Sequence, residues 1–129
     1  MKKLLSLLSI VTILSAQELT WKQDYNSTIK MAKKEHKIVL MMYHASWCPE
    51  CGYMKKVIFK DPKLQQYMQK HFELLAFDIS KDKEKLPQGY SFIGVPTFFF
   101  ISPEGKMITK FEGSSDADTF LKKLQDIAQ

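Results

Sequence analysis

The chain has 129 residues, 45% apolar and 26% charged, enough for one compact domain with its own core and too short for two. Such proportions are those of ordinary globular proteins and exclude both a disordered chain and a membrane-embedded one. The formal charge is +5, falling by two to +3 if Lys2 and Lys3 leave with a targeting segment; all 19 basic residues are Lys, spread along the chain, so no nucleic-acid partner is expected.

Met1-Lys2-Lys3 precedes an apolar run from Leu4 to Leu14 and then Ser15-Ala16, the layout of a bacterial secretory signal peptide over residues 1–16. Eleven residues at about 1.5 Å each reach roughly half of a ~30 Å hydrocarbon core, which argues against a permanent span. Cleavage is expected after Ala16. Leu14 fits a small-x-small site poorly, so an uncleaved anchor and a buried N-terminal helix are the alternatives. No Cys follows the run, so no lipid anchor is expected. Export to the periplasm would place the two cysteines, Cys48 and Cys51, in an oxidising compartment.

Residues 22–36 carry Tyr25, Ile29 and Ala32 at helical spacing and predict an amphipathic helix. Ile38 to Tyr43 is a continuous apolar run, expected of a strand buried on both faces. A helical pattern runs from Cys51 to about Phe59. Asp61-Pro62 then supplies an N-cap and a first-turn proline for a helical piece from Pro62 to Lys70. Phe72 to Ile79 reads as a second buried strand, and Ser80 to Gly89 as a charged connection. Phe98-Phe99-Phe100-Ile101, the turn Ser102-Pro103-Glu104-Gly105 and Lys106 to Phe111 predict an antiparallel hairpin. Gly113 ends it, and Ser115 to Asp118 starts a last helix with Phe120, Leu121, Leu124 and Ala128 on one face.

Strand–helix–strand followed by strand–strand–helix makes this an α/β chain with a central mixed β-sheet flanked by helices on both faces. The end of the first strand, where βα loops collect chemistry, leads directly into Trp47-Cys48-Pro49-Glu50-Cys51.

Two cysteines at this spacing can be a staple, part of a metal site or a reversible dithiol. As a staple the pair is poorly placed: closing a loop of about four residues gains only ~2 kcal/mol, against ~4.7 for a hundred. As a dithiol it is well placed. A helix starting near Cys48 would stabilise a thiolate there, making Cys48 the attacking sulfur, while Cys51, one turn inside, would resolve the mixed disulfide. Glu50 opposes that thiolate by about 0.7 kcal/mol in water and nearly 3 at an effective dielectric of about 20, against ~0.3–2 from the helix end. The lean is toward a reducing pair. His44 lies four residues before Cys48, so Cys48, Cys51 and His44 could instead form a Cys2His site, and copper binding or delivery is the competing reading. A fourth ligand for structural zinc would have to be His36 or His71, both in charged surroundings expected to face solvent.

Trp47-Cys48-Pro49-Glu50-Cys51, with Val95-Pro96-Thr97 further on, resembles the thioredoxin superfamily over nearly all of residues 22–128. Asp78, the hairpin and Gly113 agree with that pattern. The resemblance extends to exported bacterial thioredoxin-related proteins and the soluble domain of the transmembrane reductant carrier. It implies a thioredoxin-like domain over residues 17–129 and a protein-disulfide oxidoreductase with Cys48 and Cys51 catalytic. It implies a cis bond before Pro96, with Trp47, Val95 and Pro96 facing substrate and Pro49 and Glu50 modulating the pair. Expected partners are protein thiols and disulfides and a membrane thiol carrier; no cofactor, no metal and a monomer are expected. One departure stands out. The family's buried acid and its neighbouring lysine correspond here to Met42 and Ala76, leaving Glu50, His44 or water to handle the Cys51 proton.

Overall fold

The computed structural model describes residues 18–129, so the expected leader over residues 1–16 lies outside the described part. The first helix, α1, is Tyr25–Glu35. It starts where Asp24 accepts a hydrogen bond from the Ser27 backbone N–H at 2.8 Å, and it ends on His36 in the left-handed region at φ 55°. Residues 22–24, expected as helix, are therefore outside it. Lys22 instead pairs with the next layer: its N–H donates to the Leu74 carbonyl at 2.8 Å and its carbonyl accepts from Ala76 N–H at 2.9 Å. An extended segment there satisfies backbone groups that an open sheet edge would leave unpaired.

Four strands follow in sequence: β1 Ile38–His44, β2 Phe72–Asp78, β3 Thr97–Ile101 and β4 Met107–Glu112. They lie in the order β2-β1-β3-β4. β1 runs parallel to β2, with Met42 opposite Ala76 and His44 opposite Asp78, and antiparallel to β3. The hairpin turns at Gly105, whose φ of +86° suits a residue without a Cβ. Phe100 pairs with Thr109 and Ile101 with Met107, so one residue bulges out at Ile108.

Both faces of β1 are buried, as its unbroken apolar run predicts. Leu40 and Met42, with Phe98 and Phe100 of β3, face α2 (Pro49–Lys56), α3 (Pro62–His71) and α4 (Ala117–Ile127). Val39, Met41 and Tyr43 face α1 and the loop residues Leu86, Tyr90 and Phe92. The mixed sheet thus has helices on both sides.

The helix expected from Cys51 to Phe59 is shifted and split. It begins at Pro49 and ends at Lys56; Val57, at φ −119°, breaks it, and Ile58–Lys60 forms a separate 3-10 turn. Ile58 and Phe59 are both buried, whereas adjacent residues of a straight helix point about 100° apart. The break lets Phe59 reach Trp21, Phe98 and Phe120 at ring-centroid distances of 5.6, 6.0 and 5.6 Å.

Candidate active site

β1 delivers the chain to the turn Ala45–Trp47, closed by a hydrogen bond from Cys48 N–H to the Ala45 carbonyl at 3.2 Å. Cys48 is the N-cap of α2, with extended backbone, and Pro49 occupies the first helical turn, where a missing N–H costs nothing. The Cys48 Sγ accepts from Cys51 N–H at 3.1 Å, the place a capping oxygen normally takes. That hydrogen bond and the positive helix end both favour negative charge on this sulfur.

Cys48 and Cys51 are joined as a disulfide, with Cα atoms 5.3 Å apart. Cys48 is 7% exposed and Cys51 1%. Cys48 borders an open groove on the surface, whereas Cys51 does not. Glu50 and Pro49 lie exposed on the outer side of the helix start.

Across from the pair, the Val95–Pro96 peptide bond is cis. The Val95 carbonyl oxygen lies 3.6 Å from Cys48 Sγ. In the disulfide this is a contact, because the sulfur carries no hydrogen. The loop is fixed at both ends: Thr97 Oγ1 donates to the Gly94 carbonyl at 2.6 Å, and Gly113 N–H donates to the Pro96 carbonyl at 2.8 Å.

Around Cys48 the surface is apolar and shallow. Trp47 is 65% exposed, its indole N–H donating to Ser80 Oγ at 3.2 Å, and Ile93 is 92% exposed two residues before Val95. Tyr53 and Val57, on the outer face of α2 and at its end, are exposed and join Trp47, Cys48, Pro49 and Lys56 in lining an open groove of about 410 Å³. Ile93, Tyr53 and Val57 escaped sequence reading. Their solvent exposure follows from neighbours that are distant along the chain.

A second cavity, about 400 Å³, lies on the inner side of α2, lined by Trp21, Met42, His44, Lys55, Ala76 and Asp78 among others. Lys55 Nζ and His44 Nδ1 are 2.6 Å apart. Burial, then the Lys55 charge, hold the His44 imidazole below its ordinary pKa, so the neutral ring accepts the bond. Burial likewise lowers the Lys55 ammonium. The Asp78 carboxylate accepts from the backbone N–H groups of Lys81 and Ser80, at 3.0 and 2.9 Å, which keeps its pKa below the usual range. In Asp78-Ile79-Ser80-Lys81 an Asp that bonds the backbone two residues on is an Asx-turn signal in the sequence; Lys55 was legible only as the residue one turn after Cys51.

The copper reading is corrected here. Among the described residues no three His, Cys, Asp or Glu side chains come together as a metal-binding set. Cys48 and Cys51 bond each other, and the His44 Nδ1 lone pair is taken by Lys55. Of the other two histidines, His36 is exposed, whereas His71 is half-buried, its ring 4.2 Å from that of Tyr67.

Residues 25–128 match the family model described as a thioredoxin-like domain. The thiol:disulfide interchange protein DsbD of Photorhabdus laumondii is 31% identical over 101 residues, covering 75% of this chain but only 18% of the relative's length. A thioredoxin from Thermus thermophilus superposes with a TM-score of 0.73 at 23% identity, covering 86% of this chain and 88% of that one. The DsbD C-terminal domain of Neisseria meningitidis superposes with a TM-score of 0.63 at 24% identity, covering 78% and 91%. The fold is thioredoxin-like.

Proposed function

Because the chain belongs to the thioredoxin-like domain family, we propose that it is a protein-disulfide oxidoreductase working through Cys48 and Cys51. One observation carries the reading: a disulfide at a helix start, with its N-capping sulfur reachable and its second sulfur sealed. In the reducing direction the Cys48 thiolate attacks a partner disulfide and displaces one partner thiolate. Cys51 then attacks Cys48 Sγ; the new Cys48–Cys51 bond forms as the mixed disulfide breaks, and the second partner thiol leaves. Two electrons pass to the partner, and a dithiol donor must return them.

An open groove rimmed by Trp47, Tyr53 and Val57 suits a polypeptide partner better than a small thiol, which an enclosed pocket would bury. In this reading Trp47, Val95 and Pro96 face the substrate, and Pro49 and Glu50 tune the pair. The protein acts as a monomer exported to the periplasm by the segment 1–16. The direction is reductive, because exposed Glu50 in the first turn opposes a strongly stabilised Cys48 thiolate. The likeness to DsbD-type interchange proteins supports a membrane thiol carrier as electron donor.

The test is insulin reduction with a dithiol supply. Cys48→Ser is expected to abolish it, and Cys51→Ser to accumulate a mixed disulfide visible on non-reducing gels; turnover by Cys48→Ser would overturn the assignment. Alkylation of the thiols in cells fixes the direction: a mostly reduced pair means a reductase, a mostly oxidised one an oxidase.

A further inference from the structure

We propose that Lys55, held in the inner cavity by His44, is the cation that stabilises the Cys51 thiolate when Cys51 attacks the mixed disulfide. The inference rests on the dithiol reading above and adds a positioning pair to it. Cys51 is 1% exposed, and burial in apolar surroundings raises a thiol's pKa and starves the attack of thiolate. The helix end cannot supply the remedy, because it serves Cys48 and its effect fades within the first turn.

The titratable groups lining the inner cavity are His44, Lys55, Asp78, Lys81 and Asp82. Glu50 is exposed on the outer side of α2 and has the wrong sign. Asp78, at the end of β2, has its carboxylate turned to the backbone N–H groups of Ser80 and Lys81, and Asp82 accepts from Asp78 N–H at 2.9 Å. Lys81 is exposed on the same loop. β1 contributes His44, neutral and bonded to Lys55. Of the two lysines that line the cavity, Lys55 is the one on the helix of Cys51: it stands four residues after it, and side chains at that spacing share a helix face with Cβ atoms about 5–6 Å apart.

Met42 links the two. It packs in the same buried cluster as Cys51 and also lines the cavity that holds His44 and Lys55. A lysine on a helix surface ordinarily extends to water; the 2.6 Å bond to His44 keeps this ammonium inside. In the step itself the Cys51 S–H proton passes to water. The thiolate forms a bond to Cys48 Sγ while the Cys48–partner S–S bond breaks, and the partner sulfur leaves with the electron pair. Lys55 keeps its proton throughout.

The experiment titrates Cys51 in a Cys48→Ser background by the pH dependence of iodoacetamide alkylation. Lys55→Met is expected to raise the midpoint by about one pH unit, leaving about tenfold less thiolate at neutral pH. His44→Ala should shift it in the same direction by less, and Lys55→Arg should restore most of the wild-type value. Cys48, titrated in a Cys51→Ser background, should move by under about a third as much, which a general loosening of the helix would not produce. An unchanged Cys51 midpoint, or equal shifts at both cysteines, overturns the inference. Should Lys55→Met fail to fold, Lys55→Gln carries the same expectation. Wild-type insulin reduction is run in parallel: its absence would fail the oxidoreductase reading, while the Cys51 titration judges Lys55 independently.

Discussion

At the residue scale the two sulfurs are chemically alike and differ in what surrounds them. Cys48 caps a helix at the surface, and Cys51 is sealed beneath it, so attack and resolution divide between them before any partner is considered. A different residue, Tyr43, sits under the opposite face of β1 with its hydroxyl buried and without a hydrogen-bond partner among the described residues. Burial pushes its pKa up to about 12. An unsatisfied buried hydroxyl costs about 1–3 kcal/mol, while the ring itself packs edge-on against Phe77, Phe92 and Phe99. Tyr43→Phe keeps that packing and is expected to raise stability by about 1 kcal/mol, measured by urea unfolding; a clear loss would mean the hydroxyl has a partner.

At the element scale the decisive feature is the break between α2 and α3. A short α2 sets the cysteine pair and Lys55 on one helix, and the 3-10 turn that follows anchors it through Phe59. Asp61 then restarts the chain: its carboxylate accepts from Leu64 N–H at 3.1 Å, with Pro62 behind it. Asp61→Ala is expected to cost about 1 kcal/mol of stability, with insulin reduction unchanged at a temperature where both proteins are folded. A loss of activity without a loss of stability would mean that this cap also positions the cysteines.

At the scale of the whole molecule, stability should vary with pH through groups on both flanks of the sheet. His44 has its folded pKa lowered by burial and by Lys55, so the unfolded chain binds the proton more readily. Stability is then fully present above the unfolded value near 6.5 and falls as pH drops through it. Glu73, near the start of β2, has its pKa raised by burial and by Glu35, with Lys22 opposing. Its sign is opposite: the fold takes up that proton more readily, which adds stability as pH falls toward the ordinary carboxylate range. Urea midpoints should therefore drop between pH 7.5 and 5.5 in the wild type, and His44→Asn, which still offers Lys55 an acceptor, should flatten that drop. An identical drop in the variant would remove His44 as its cause.

Much of this was legible in the chain itself because it depends on neighbours in sequence. The unbroken apolar run from Ile38 announces a strand buried on both faces, Asp61-Pro62 a helix start, and Cys48 with Cys51 a dithiol at a helix entrance. The misplacements were also local. Pro49 at the first helical position pointed to the earlier start of α2, and Asp24, a capping residue, to the later start of α1. What the chain could not disclose depends on residues far apart. Lys22 closes the edge of β2, Trp21 reaches Phe59, and His44 meets Lys55 across eleven residues. Periodicity assigns a residue to a face, but which face meets which is set by packing, and packing alone turned an ordinary surface lysine inward against His44.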